Sequence, residues 1–235
     1  MLSFAWKLAG PHSAMFTPRL DVLPASQRRL WAELSVVPTN FVLYGGTALA
    51  LRLGHRQSVD FDFFSNSAFA PAELRSRIPF LRDATTQLSS PNTLVCLVER
   101  GSPVQIAFFG GLDLNRVNDP DVAANDVRVA SLLDVAATKL KVILDRASLK
   151  DYHDIAALLD AGLTLPDMLA AARAIYSTSY NPLLSLKALT HFDDGDLNGL
   201  PRELRTRLAR AAAAVNIGSL PSLPAARGLL PHPAA

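Results

Sequence analysis

The first half of the chain alternates short apolar runs with glycine, proline and polar turn residues, a pattern typical of strands interleaved with helices. Residues 59–64 (VDFDFF) alternate strictly, which predicts a strand with one apolar and one polar face. Residues 40–46 (NFVLYGG) predict a strand closed by two glycines, directly before a helix that ends at Gly54. Further strands are predicted over 93–99, 104–110 and 125–131, the first two as a hairpin, and helices over 27–34, 47–54 and 71–78.

From residue 131 onward the apolar positions recur at helical spacing. This pattern predicts helices over 132–147, 150–162, 166–177 and 201–215. We therefore expect an α+β chain in which a mixed-sheet domain precedes a helical domain. The predicted parts are an N-terminal extension (1–35), an α/β domain (36–130), a helical domain (131–216) and a flexible tail (217–235) rich in proline, glycine and serine.

Composition narrows the class of protein. The 235 residues include 23 basic and 21 acidic side chains, a formal net charge of +2, which excludes a polybasic, histone-like protein and confines any nucleic-acid contact to a local patch. The single cysteine, Cys96, lies in an apolar run, which excludes a disulfide framework and fits a reducing compartment. Because no stretch approaches ~18 uninterrupted apolar residues, we expect no membrane span and a cytoplasmic location.

Two carboxylates stand out on the strand over 59–64. Alternate residues of a strand face the same side, so Asp60 and Asp62 point together, ~7 Å apart, while their apolar neighbours pack the other face. Such a pair favours a hard divalent cation, Mg²⁺ or Mn²⁺, between the two acids. The alternative is an amphipathic strand whose acids simply face solvent.

The residues around this pair suit a phosphate group. Gly45 and Gly46 allow close backbone approach, and the helix that begins at Thr47 offers free N–H groups and the positive end of its dipole. Ser58 precedes the acids and adds a hydroxyl. A phosphate cradle beside a divalent-metal site is typical of a nucleotide site, whereas the glycines alone would indicate only a tight turn.

The helices over 132–147 and 150–162 carry charges on their apolar faces. Lys139 lies in the apolar stripe of the first helix, so its ammonium requires an anionic partner, a phosphate or a carboxylate, unless it snorkels to solvent. Asp151 and Asp154 share the inward face of the second helix. Asp151 could instead close a capping box with Ser148, and Asp154 could pair with Arg146 or Lys139.

Other polar residues give weaker indications. His55 is interpreted as a loop residue within reach of a phosphate, and His153 as solvent-facing, because neither has a second ligand at zinc-site spacing. One predicted helix carries a run of arginines that either steers RNA by phosphate contacts or forms a solvated face: Arg202, Arg205, Arg207 and Arg210.

Two blocks of the sequence resemble one family. The run GGTALALRLGHRQSVDFDFF (45–64) is similar to the signature of AbiEii/AbiGii-type nucleotidyltransferase toxins, within the DNA polymerase β-like superfamily. The run KLKVILDRASLKDYHDIAALL (139–159) resembles the family's downstream block of lysine, arginine and paired acids. The resemblance implies a polymerase β-like mixed-sheet domain followed by a helical domain, and a toxin that a partner antitoxin neutralises.

The resemblance to this family further implies Mg²⁺-dependent transfer of a nucleoside monophosphate from an NTP to an acceptor hydroxyl, with the 3′ end of a tRNA as acceptor. On this hypothesis Asp60 and Asp62 hold the metal, Lys139 neutralises phosphate charge and Asp151 is the base or a third metal ligand. The candidate nucleotide-binding residues are Gly45, Gly46, Thr47, Arg56, Ser58 and Lys139, and the secondary site residues are His55, Arg146 and Asp154.

The sequence departs from the superfamily pattern at one place. Polymerase β-like enzymes often carry a third carboxylate on the neighbouring strand, where this chain offers Ala107. Either Asp151 completes the site or the chain binds metal poorly. Two alternatives therefore remain open: a nucleotidyltransferase that modifies a small molecule of antibiotic type, and a degenerate, non-catalytic nucleotide-binding module.

Overall fold

The structure, a computed structural model, describes residues 15–231. Its strands are β1 (Met15–Phe16), β2 (Val42–Tyr44), β3 (Asp60–Phe64), β4 (Thr85–Ser90), β5 (Thr93–Glu99), β6 (Pro103–Phe109), β7 (Asn115–Arg116), β8 (Asp121–Ala123), β9 (Arg128–Val129) and β10 (Ala226–Arg227). Its α-helices are α1 (Ala25–Trp31), α2 (Gly45–Leu53), α3 (Pro71–Arg77), α4 (Leu132–Asp145), α5 (Leu149–Asp160), α6 (Leu165–Tyr176), α7 (Pro182–Ala188) and α8 (Arg202–Ala213).

Eight of the strands form one mixed sheet in the order β1-β8-β9-β2-β3-β6-β5-β4. Strand β3 lies near its middle, antiparallel to β2 and parallel to β6. The hairpin predicted from the apolar runs is present as the antiparallel pair β5 and β6. A mixed sheet followed by helices confirms the predicted α+β class.

The alternation of β3 sets which side chains enter the core. Phe61 and Phe63 are buried, and Phe61 stacks on Trp31 with ring centroids 6.2 Å apart. Phe63 stacks on Phe108 of β6 at 5.4 Å. Because the side-chain period of a strand is two, this packing fixes Asp60 and Asp62 on the opposite face.

The helical half packs directly on the sheet half. Ser131 caps α4 by accepting from the Asp134 amide at 3.1 Å, and α4 then packs against α2, α5 and α6. Buried apolar residues from Leu23 to Leu229 form one continuous core. Within residues 15–231 no single helix has the length and apolarity to cross a membrane, and one pair of helices passes that test together, with a bend of 117° between them.

Both predicted terminal segments take part in the fold over the residues that the structure describes. Residues 15–35 do not form a separate extension, because Leu30 and Leu34 are buried in the core and β1 pairs with β8; residues 1–14 lie outside the described residues. The prediction of a flexible tail over 217–235 is wrong as far as residue 231, because β10 pairs with β7 and Leu229 is buried.

One predicted boundary differs from the structure, and two elements of the structure, β4 and α7, were not predicted. Helix α2 begins at Gly45 rather than Thr47, because Gly45 adopts a positive φ of 72° and opens the helix immediately after Tyr44. Strand β4 has no apolar alternation to reveal it, since all six of its residues are exposed at the sheet edge. Helix α7 is only seven residues long, too short for a helical period to emerge.

Candidate active site

The site is built around the two carboxylates of β3. Asp60 and Asp62 are partly buried, and neither carboxylate accepts a hydrogen bond from any group within residues 15–231. Burial first, and the charge of Asp60 second, raise the pKa of Asp62 to about 6, although Lys139 and Arg146 act to lower it. Two neighbouring acids without hydrogen-bond partners, one of them with a raised pKa, form a site that favours the binding of a cation.

The glycines of α2 leave room beside these acids. A Cβ on Gly45 would overlap Oδ2 of Asp62. A Cβ on Gly46 would lie 2.6 Å from Nη2 of Arg56 and 3.0 Å from Oγ of Ser58. The start of α2 therefore lies directly against Asp62, Arg56 and Ser58, as the predicted phosphate cradle requires.

Replacing Gly45 with alanine is expected to abolish the nucleotidyl transfer that the resemblance implies, and to lower the unfolding free energy by more than the ~1–2 kcal/mol that a left-handed residue with a side chain costs. The added methyl group displaces the Asp62 carboxylate as well as straining the backbone. Label transfer and denaturant unfolding measure the two effects.

Gly162→Ala is the matched control, because Gly162 has a φ of +93° but no atom of residues 15–231 lies within 4 Å of its added Cβ. It should show the backbone cost alone and keep full activity. Equal losses of stability and activity in the two variants would contradict the contact with Asp62.

A buried ion network supports the second half of the site. The Nζ of Lys139 lies 2.7 Å from Oδ1 of Asp151 and 2.6 Å from Oδ2 of Asp154. Lys139 is only 5% exposed, which confirms its place in the apolar stripe, and its anionic partners are carboxylates of α5. Of the two alternatives for Lys139, a snorkelling side chain is therefore excluded.

Asp151 is held between two cations. Its Oδ2 accepts from Nε of Arg146 at 2.8 Å, while its Oδ1 accepts from Lys139. The capping box with Ser148 does not form, and the Leu149 amide is instead bonded to Asp196 at 2.6 Å. Because both oxygens of Asp151 accept from cationic donors, the geometry favours a part in positioning Lys139 and Arg146 over the predicted part of base or third metal ligand.

Asp154 is fully buried and joins α5 to the loop before β3. It accepts from Nε and Nη2 of Arg56 at 2.6 and 2.8 Å, and its Oδ1 lies 2.7 Å from Nε2 of His55. Burial acts to raise the pKa of Asp154, but hydrogen bonds from His55 and Arg56, with the charge of Lys139, hold it below its usual range. Asp154 thus positions Lys139 and Arg56 on either side of the cleft.

The side chain of Thr47 is not available to a phosphate. It is buried, and its hydroxyl donates to the backbone carbonyl of Asp60, where the amide of Gln27 also points. Gln27 reaches this carbonyl from α1, and the sequence analysis missed it. A glutamine three residues before Leu30, on the buried face of α1, was the signal that could have indicated it.

The residues present fit a divalent cation, although with few ligands. Asp60 and Asp62 offer hard carboxylate oxygens that no protein group within residues 15–231 has claimed. The strand register places Ala107 opposite Asp62 and Gln105 opposite Asp60, so β6 supplies no third acid. No cluster of three or more His, Cys, Asp or Glu side chains suited to a metal occurs in the described part of the chain.

Solved structures show the same fold at low sequence identity. A crystal structure from H. pylori, described as a nucleotidyltransferase, superposes with a TM-score of 0.53 at 20% identity, covering 80% of this chain and 92% of its own. MenT4, the nucleotidyltransferase toxin Rv2826c from Mycobacterium tuberculosis H37Rv, superposes with a TM-score of 0.57 at 14% identity, covering 83% and 87%.

Sequence comparison identifies the family. An uncharacterized protein of Aquifex aeolicus, aq_aa25, is 29% identical over 161 residues, which span 66% of this chain and 75% of that protein. The family described as the nucleotidyl transferase AbiEii toxin of type IV toxin–antitoxin systems matches residues 29–221. This match includes Asp60, Asp62, Lys139, Asp151 and Asp154. The chain therefore belongs to the AbiEii nucleotidyl transferase toxin family, as the glycine–aspartate signature of α2 and β3 predicted.

Proposed function

We propose that the chain transfers a nucleoside monophosphate from an NTP to the 3′ end of a tRNA, with Mg²⁺ or Mn²⁺ held by Asp60 and Asp62. The observation that carries this proposal is the pair of unpartnered carboxylates on β3. Asp62 lies against Gly45 at the start of α2, and the charge of the buried Lys139 acts to lower its pKa. When bound, the cation would neutralise charge on the triphosphate and polarise the phosphorus that is attacked.

The chain's own residues supply binding and orientation. Gly45 and Gly46 let the backbone approach the phosphates, where Ser58 offers its hydroxyl. Lys139 faces the site with a positive charge that stabilises the developing charge of the leaving pyrophosphate. In the reaction the acceptor oxygen forms a bond to the α-phosphorus, and the bond from that phosphorus to the oxygen that bridges to the β-phosphate breaks. Pyrophosphate leaves with the electron pair of the broken bond, and the proton of the acceptor hydroxyl passes to solvent water.

Asp151 and Asp154 of α5 act as positioning residues in this proposal. Asp151 holds Lys139 and Arg146, and Asp154 holds Lys139 and Arg56. Both act through these cations rather than on the nucleotide. His55 contacts Asp154, so we also assign it to this network instead of to a phosphate.

Family membership supports the proposed antitoxin partner, since the family consists of toxins of type IV toxin–antitoxin systems. The tRNA acceptor is the part of the proposal that the resemblance of the two sequence blocks to the toxin family implies. MenT4, which shares the fold, is likewise a nucleotidyltransferase toxin. A neighbouring reading frame that encodes a small winged-helix-like protein would fit the antitoxin part of the proposal.

The proposal is tested by incubating the protein with Mg²⁺, each α-labelled NTP and total tRNA, beside its Asp60→Ala variant. We expect label on tRNA with the wild type and at least a ~100-fold lower rate with Asp60→Ala, the scale on which one electrostatic stabiliser contributes to a transition state. Equal label transfer by the two proteins would contradict the proposal.

The same assay separates the alternatives. Transfer to an aminoglycoside and not to RNA would support a small-molecule acceptor. The alternative of a non-catalytic module starts from Ala107, where β6 supplies no third acid, and binding of NTP without transfer to any acceptor would support it.

A further inference from the structure

A basic groove runs along α5 and over α8, and it adjoins the site described above at Arg56. Two adjoining hollows of about 440 and 570 Å³, which meet at Arg207, form this groove. Its cationic lining consists of Arg56, Lys150, Arg202, Arg207 and Arg210, with two histidines beside Arg56 and Lys150. The chain as a whole carries a formal net charge of only +2, so this concentration of cations is local.

Some of these charges are neutralised within the protein and others are not. Arg207 pairs with Asp160 at 2.7 Å, and Glu203 is the other acid of the lining. Lys150, Arg202 and Arg210 are exposed, and their side chains make no hydrogen bond or ion pair with another group in residues 15–231. The groove therefore keeps an excess of unpaired positive charge.

Arg56 connects the groove to the active site. It lines the groove beside α5, yet its Nη2 lies where a Cβ on Gly46 would be only 2.6 Å away. From there the cations continue to α8, where Arg202 and Arg210 stand ~12 Å apart along the helix axis. That span covers several phosphate charges, which follow one another every ~3.4 Å along one strand of a duplex.

We propose that this groove binds the sugar–phosphate backbone of a polynucleotide acceptor, whose end enters the active site past Arg56. The proposal rests on the proposed transferase function and names the surface that holds its acceptor. Unpaired Lys and Arg side chains displace condensed counterions from phosphates, so binding should be independent of base sequence and sensitive to salt. A small-molecule acceptor would make no use of cations as distant as Arg210.

The test measures binding without catalysis. A fluorescent RNA hairpin whose 3′ end carries a phosphate is titrated with the full chain at several salt concentrations, and anisotropy reports its affinity. The groove variant is Lys150→Glu with Arg210→Glu. Its matched control is Arg77→Glu with Arg82→Glu, two exposed arginines on and just after α3, outside the groove.

We expect the groove variant to bind RNA at least ~10-fold more weakly, with a salt slope lower by about 1 for each phosphate contact removed. The control should stay within about twofold of wild type, and Asp60→Ala should bind RNA normally while losing transfer. If Asp60→Ala keeps full transfer activity while the groove variant still binds RNA more weakly, the proposed function is contradicted and the groove inference is not.

Unchanged RNA binding by the groove variant, equal losses in the groove and control variants, or no RNA binding by the wild type would each overturn the inference. Displacement of the hairpin by polyglutamate as effectively as by unlabelled RNA would also overturn it, because an acidic protein segment would then be the occupant. Lys150→Gln with Arg210→Gln, which adds no acid, should show a smaller loss in the same direction.

Discussion

Asp62→Asn is expected to abolish nucleotidyl transfer and, at the same time, to stabilise the metal-free protein. Burial and the neighbouring Asp60 raise the pKa of Asp62 to about 6, so its ionised form is disfavoured in the folded state. A neutral amide of the same shape removes that cost. We expect the free energy of unfolding in EDTA at pH 7.5 to rise by about 1 to 3 kcal/mol. Each kcal/mol should raise the Tm by ~2–4 °C.

The sign of this effect depends on pH. Because the folded-state pKa of Asp62 lies above its ordinary value of 3.8, the folded protein binds a proton more tightly than the unfolded chain. The wild type therefore gains stability relative to Asp62→Asn as the pH falls through about 6. A stability difference that stays constant between pH 5 and pH 8 would contradict the assignment, as would an active Asp62→Asn enzyme.

Asp154→Asn is expected to cause the largest loss of stability of any single polar substitution in the site, about 3 to 5 kcal/mol. Its carboxylate is fully buried and faces Lys139, Arg56 and His55. An amide leaves Arg56 without its counter-charge, leaves Lys139 with Asp151 alone, and turns one donor group toward them. Because the pKa of Asp154 is held below its usual range, this stabilisation is fully present at pH 7 and is lost only as the pH falls into the acid range.

Denaturant unfolding at pH 7 measures the loss, and Asp145→Asn is the control. Asp145 makes the same kind of pair, with Lys141 at 3.1 Å, but its side chain is 67% exposed. Solvent screens such a pair, so its removal should change stability by less than ~0.5 kcal/mol. If Asp154→Asn also unfolds within ~1 kcal/mol of wild type, the buried network is not the support that the geometry indicates.

The sequence predicted those parts of the fold and site that local pattern controls. The strict alternation of β3 placed Asp60 and Asp62 on one face, and the helical period of α4 placed Lys139 among apolar residues. Each rests on the geometry of a single element, which a sequence shows directly. The glycine pair could also be located, because a turn with positive φ and close contacts requires glycine at Gly45.

What the sequence could not predict depends on contacts between distant segments. Asp154 accepts a hydrogen bond from Arg56, which is 98 positions away in the sequence, and Gln27 donates to the carbonyl of Asp60, which is 33 positions away. The ends of the chain are another example, since the Leu229 amide is bonded to Asn66 across 163 positions. Composition suggested loose ends, whereas packing against remote elements orders residues 15–35 and 217–231. The assignment of Asp151 as a base likewise ignored Arg146, which occupies its second oxygen.

Asp60 and Asp62 are proposed to bind a divalent cation together with the nucleotide, without a third acid from the sheet. Binding of Mn²⁺, followed by electron paramagnetic resonance in the presence of a non-hydrolysable NTP analogue, tests this claim without any turnover. We predict one Mn²⁺ per chain for the wild type and for Asp145→Asn, and at least ~10-fold weaker binding for Asp60→Asn and for Asp62→Asn. Undiminished Mn²⁺ binding by the Asp60→Asn, Asp62→Asn double variant would contradict the claim.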